Sequence, residues 1–179
     1  MTKRKESTIA ALLEDKPRRG RPRRSIGRKN VYIALTAEQK QLMKALAKNL
    51  PDSLSRADIP DMAVNLLAAR MDLLRSAVAD RDREIPEGIT DLDSLYLLWD
   101  LPLPAKDSEP RWTSIRLSPQ QSIELGRAQG ALNAQFGANR SQVFALGLAA
   151  LTSFLQEELA DKQYTSVNDV DRWFTRIYL

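Results

Sequence analysis

The chain has 179 residues, 43% of them hydrophobic, and a net charge of +4 from 27 Lys and Arg against 23 Asp and Glu. That length gives room for one ordinary domain or two very small ones. It contains neither Cys nor His, which excludes disulfides, thiolate and Ser–His nucleophiles, Cys/His zinc sites and imidazole acid–base work.

No apolar run approaches the roughly 18–20 residues of a membrane-spanning helix, and the charged N-terminus lacks the apolar segment of a signal peptide. No Walker-type phosphate loop or GxGxxG is present, and nothing marks a catalytic carboxylate pair. The expectation is a cytoplasmic binding protein, not an enzyme, with no metal and no cofactor.

The charge is unevenly placed. Residues 1–29 carry 11 Lys and Arg against 3 Asp and Glu, and the remaining 150 carry 16 against 20. A basic arm, expected to be disordered over 1–27, precedes a mildly acidic body. Within it, "KPRRGRPRRS" spans residues 16–25. The core Arg19-Gly20-Arg21-Pro22, flanked by Arg18 and Arg23, resembles the AT-hook, which implies an extended segment in the minor groove of A·T-rich DNA. The chemistry suits that site. Gly lets the backbone approach the groove floor, Pro keeps the chain extended, and Arg is drawn to the negative potential of a narrow groove.

A short strand is expected at 29–35, where Val31, Ile33 and Leu35 alternate with Asn30, Tyr32 and Ala34. Thr36-Ala-Glu-Gln39 then reads as a capping box opening a helix with an apolar stripe at Met43, Leu46 and Leu50. After the loop "PDSLSR" a longer helix carries Ile59, Met62, Ala63, Leu66 and Leu67. Pro60 is tolerable only in a first turn, so this helix is expected to start near Asp58. A further helix is expected over 90–101, and 102–110 is a linker.

The pattern then repeats. Thr113, Ile115 and Leu117 alternate with Trp112, Ser114 and Arg116 in a strand at 111–117. Ser118-Pro-Gln-Gln121 reads as a second capping box with Pro119 at the first helical position. Leu125, Ala128 and Leu132 form the stripe, "FGANR" is the loop, and Val143, Leu146, Gly147, Ala150, Leu151 and Phe154 lie on the last long helix. Arg140 aligns with Arg56, and "NDVDRWFTRIYL" at 168–179 aligns with "TDLDSLYLLWDL" at 90–101. The body reads as a duplication, 28–101 and 111–179, each half a strand–helix–helix unit with an accessory helix. The apolar surround of "RSQVFALGLAAL" implies burial against several neighbours.

Strand–helix–helix in this order, with a capping box after the strand and "NRSQ" before the second helix, resembles the ribbon-helix-helix family of Arc, MetJ and CopG. The resemblance covers about half the chain, in two copies. It implies a mainly α fold with a two-stranded antiparallel β-ribbon, here a tandem pseudo-dimer whose strands pair within one chain or, alternatively, between two. It further implies a ribbon lying in the major groove of double-stranded DNA, with Asn30, Tyr32, Ser114 and Arg116 facing the bases. Arg28, Lys29 and Arg111 would reach phosphates, as would the starts of the second helices at Ser55, Arg56, Asn139, Arg140 and Ser141. Ser55 and Asn139 can equally be helix caps, and Trp112 is expected to fold back into the core.

On this reading the chain is a sequence-specific regulator, a transcriptional repressor associated with the nucleoid. Its weak ribbon is supplemented by the arm in a neighbouring minor groove. Two alternatives remain at this stage. One keeps the DNA and changes the task to plasmid partition, conjugation or antitoxin function, with a ParA-like ATPase, a relaxase or a toxin as partner. The other is an interaction scaffold with a polyanion-binding tail. A further copy of the chain is a possible partner in each.

Overall fold

A computed structural model describes residues 27–77, 88–105, 108–160 and 162–178. The basic arm at 1–26, and with it Arg18, Arg19, Gly20, Arg21, Pro22 and Arg23, lies outside the described residues.

Among the described residues the fold is mainly helical with a single two-stranded antiparallel sheet. In chain order the elements are β1 (Lys29–Leu35), α1 (Ala37–Asn49), α2 (Ile59–Ser76), α3 (Leu92–Leu98), β2 (Arg111–Leu117), α4 (Pro119–Phe136), α5 (Arg140–Ser153) and α6 (Val167–Tyr178). A π-helical turn, Phe154–Glu158, extends α5. Among the described residues no helix is long and apolar enough to cross a membrane.

Both strands form over the expected residues and pair with each other, with Tyr32 opposite Ser114 at the centre. The pairs Asn30–Arg116 and Ala34–Trp112 flank that centre on either side. Period two then separates the faces. Ile33, Leu35, Ile115 and Leu117 are buried beneath the ribbon, and Val31 and Thr113 are half-buried at its margin.

The first capping box forms in full. The Thr36 hydroxyl accepts from the Gln39 N–H, and the Gln39 side chain accepts from the Thr36 N–H. The second forms only in part. Ser118 caps Gln121, but its own N–H donates to Asp61 on α2 at 2.9 Å, and the Gln121 amide donates instead to Asn65. A buried carboxylate outcompetes a side-chain amide for that donor because a charge-assisted bond is stronger.

Helix α2 begins after Asp58 with Pro60 in its first turn, as the proline requires. Helix α4 ends at Gly137, whose φ of +67° places it in the left-handed region, where its N–H can reach the Asn133 carbonyl.

Helices α2 and α5 pack on each other at the centre of the core. Helix α5 is buried without interruption from Val143 to Leu148, which accounts for its apolar surround. The shorter helices brace this centre. Leu95 and Tyr96 of α3 are buried, and the Arg70 guanidinium lies over the Trp99 ring at 5.3 Å. On α6, Val170 and Phe174 are buried, with Phe174 edge-on to Phe154 at 5.6 Å. Helix α3 is shorter than the expected 90–101. Its last turn closes at Trp99, and Asp100 takes a positive φ of 52°.

Candidate nucleic-acid interface

The expected base-facing residues share the outer face of the ribbon. Asn30, Tyr32, Ser114 and Arg116 are all exposed on it. Opposed residues in an antiparallel pair hold their Cβ atoms about 4.5–5.5 Å apart. Asn30 and Arg116 therefore stand side by side, an amide next to a guanidinium. At the other end Ala34 stands beside Trp112.

Trp112 does not fold into the core. It is 76% exposed and shares the outer face with Tyr32, which is 68% exposed. The alternation of a strand fixed by Ile115 and Leu117 beneath it leaves Trp112 no route inward, whatever its apolar area.

Each end of the ribbon is tied to the N-terminus of one long helix, and the two ties differ. At the Asn30–Arg116 end the tie is ionic. The Arg28 guanidinium donates to the Ala57 carbonyl and to Asp58, and a second carboxylate, Asp61, lies 2.8 Å from it. Asp61 is buried, only 6% exposed, and its other oxygen takes the Ser118 N–H. One carboxylate on α2 thus joins the start of β1 to the end of β2. Partial burial acts to raise the pKa of Asp58, but hydrogen bonds from Ser55 and Arg28 outweigh it and hold the carboxyl below its ordinary value.

Two carboxylates enclose Arg28, so its charge is already paired within the protein. Ser55 is not the cap of α2. Its N–H and hydroxyl both go to Asp58, which occupies the cap position. With Asp58 and Asp61 in its opening turn, this helix start is poorly suited to an anion, although Arg56 beside it is exposed.

At the Ala34–Trp112 end the tie is neutral. The Ala34 N–H donates to the Ser141 hydroxyl at 2.8 Å. Asn139 is the cap of α5: its side chain accepts from the N–H groups of Ser141 and Gln142, and the Gln142 side chain returns to the Asn139 N–H. Those two amides are therefore satisfied within the protein, not left open to a phosphate. The Arg140 side chain is exposed and bonds Gln129 at 3.0 Å, and α5 has no acid in its first turn. Lys29 and Arg111 are exposed at opposite ends of the ribbon. A cleft of about 690 Å³ opens beside this end, between Trp112, the start of α5, and Leu92, Asp93 and Tyr96 of α3.

Sequence reasoning missed the Arg28–Asp58–Asp61 cluster. Its signal is an Asp at a position that the helical period of α2 turns inward, beside Met62 and next to Pro60. A buried carboxylate there demands a cation.

Among the described residues there is no cluster of acids suited to a metal ion. No family model, characterised protein or solved structure matches the chain.

Proposed function

We propose that the chain is a sequence-specific double-stranded DNA-binding protein, a transcriptional repressor built as a tandem ribbon-helix-helix pseudo-dimer. Its β-ribbon reads the major groove, and its basic arm, through Arg18 to Arg23, holds an A·T-rich minor groove. The observation that carries this reading is the outer face of the ribbon: an uncovered row of Asn30, Arg116, Tyr32 and Ser114 over an apolar inner face. A two-stranded ribbon fits the major groove. Arg pairs there with guanine O6 and N7, and Asn with adenine N6 and N7.

The pseudo-dimer is supported by the register. The shift that sets Thr36 on Ser118 also sets Tyr32 on Ser114, and these two are paired, so each strand centre meets its own counterpart. The shift that sets Arg56 on Arg140 sets Ala63 on Gly147, and those two also touch.

Retardation and footprinting on DNA from the protein's own locus test the reading. Arg116→Ala should weaken binding to a protected site by roughly 1–3 kcal/mol while barely changing binding to random DNA. Replacing Arg19 and Arg21 with Ala should lower affinity and flatten the salt dependence by roughly one unit of slope per lost phosphate neutralisation. Absence of any protected site, or equal loss on specific and random DNA with Arg116→Ala, overturns it.

A further inference from the structure

We infer that the cleft beside the Ala34–Trp112 end of the ribbon is a binding site for a small aromatic cation, a flat ring carrying an ammonium or amidinium group. Such a site is independent of what the ribbon itself binds. Three observations combine: the walls of the cleft, the sign of its charge, and the way the second half of the chain closes the corresponding crevice.

The walls are largely apolar and aromatic. Trp112, Tyr32 and Tyr96 line the cleft with Leu92, Pro104 and Pro110, and its volume is about 690 Å³, within the range of roughly 300–1,000 Å³ that small-molecule sites occupy. A second cavity of about 280 Å³ adjoins it and shares Thr36, Gln39 and Tyr96. The Trp112 and Tyr32 rings are left exposed, and a flat apolar ligand laid on them would remove their area from water.

The charge favours a cation. Among the described residues, the charged groups lining the two cavities are the carboxylates of Asp93 and Glu38 and the guanidinium of Arg140. Arg140 is exposed and already bonded to Gln129. Asp93 is half-buried and close enough to the Tyr96 phenol to act on its titration, so water screens its charge less. Burial, and after it the Asp93 charge, raise the Tyr96 pKa above its ordinary value, which keeps the phenol neutral. The exposed ring faces add to the preference, because the π-face of Trp or Tyr attracts a cation.

The second half of the chain shows what closes such a crevice. The alignment of 168–179 on 90–101 sets Asp171 on Asp93 and Phe174 on Tyr96. Asp171 and Phe174 line a crevice with Gln121, as Asp93 and Tyr96 do with Gln39. There the Asn65 amide donates to Asp171 at 2.9 Å. The shift that sets Arg56 on Arg140 sets Asn65 on Ala149, whose methyl group donates nothing. The first half keeps the carboxylate and lacks the internal donor, and an N–H group on a ligand supplies it.

The test is an NMR titration of the full chain with tryptamine, indole-3-propionate and tryptophol, which share one ring and carry a cationic, an anionic and a neutral tail. Tryptamine should bind with a Kd on the order of 0.1 mM, about tenfold or more tighter than either of the others. Asp93→Asn should weaken tryptamine by about tenfold and bring it level with tryptophol. Trp112→Ala, a change at an exposed side chain, should weaken all three. Tryptamine binding that survives both substitutions, indole-3-propionate bound as tightly as tryptamine, or no binding of any of the three overturns the inference.

Discussion

Gly147 of α5 lies against Ala63 of α2 so closely that a Cβ built on the glycine would stand 2.8 Å from the Ala63 carbonyl oxygen and 3.2 Å from the Leu67 Cβ. The obstacle is backbone, which cannot swing aside. Gly147→Ala should therefore destabilise the fold by about 1–3 kcal/mol, although Ala is the better helix former. Gly130, exposed on α4, meets nothing within 4 Å, so Gly130→Ala should stabilise by roughly 0.5–1 kcal/mol. Urea unfolding of the two variants checks the opposite signs.

The Arg28 cluster gives a second expectation. Arg28→Ala leaves the buried Asp61 without its cation, and loss of one partner from a buried pair costs about 3–5 kcal/mol. Asp61→Asn alongside Arg28→Met removes both charges of that pair, leaves Asp58 held by the Ser55 N–H and hydroxyl, and should recover part of the loss. Unfolding of the single and double variants measures the difference.

Asp58 has a pKa below its ordinary value because hydrogen bonds from Ser55 and Arg28 exceed the opposing effect of burial. A carboxyl with a depressed folded-state pKa contributes stability above its unfolded value, near 3.8, and loses it as pH falls through the folded one. Acid unfolding should therefore begin below about pH 4, with a shallower acid limb in Asp58→Asn.

Asp171 titrates in the opposite sense. Burial raises its pKa to about 6, against the hydrogen bond that Asn65 donates. The protonated carboxyl is favoured in the folded state, so its contribution is full below about pH 4 and is lost as pH rises through 6. Asp171→Asn should flatten stability between pH 4 and 6 and raise it at pH 7, by something of order 1 kcal/mol once solvent screening is counted. Thermal unfolding across that range is the measurement.

Much of this architecture was legible because it rests on short-range rules. The alternation of Val31, Ile33 and Leu35, the Thr36–Gln39 box and the placement of Pro60 each act within a few residues, and strand and helix starts followed from them. The same alternation placed Asn30, Tyr32, Ser114 and Arg116 on the outer face. It placed Trp112 there too, and the expectation of burial failed because it set side-chain size against strand period. Size cannot win where a two-stranded ribbon covers only one of its faces. The Arg28–Asp61 contact and the diversion of the Ser118 N–H stayed hidden, because each joins segments far apart in sequence and no local pattern encodes the partner. The start of α5 was legible as a capping position at Asn139, whereas the cap of α2 is Asp58 and not Ser55. Which donors these helix starts leave open was not legible, since that depends on where Asp58 and Gln142 turn.

The pairing of β1 with β2 inside one polypeptide changes how the surface depends on abundance. A ribbon assembled from two chains exists only while subunits exceed their dissociation constant, and its stability falls with dilution. Here the connecting chain sets the effective concentration of one strand at the other, however few molecules are present. Melting temperature should be independent of protein concentration. The kinetic counterpart is a slower search, because strands so distant in sequence must meet before either is covered. A cell holding a handful of copies would still hold that many complete ribbons.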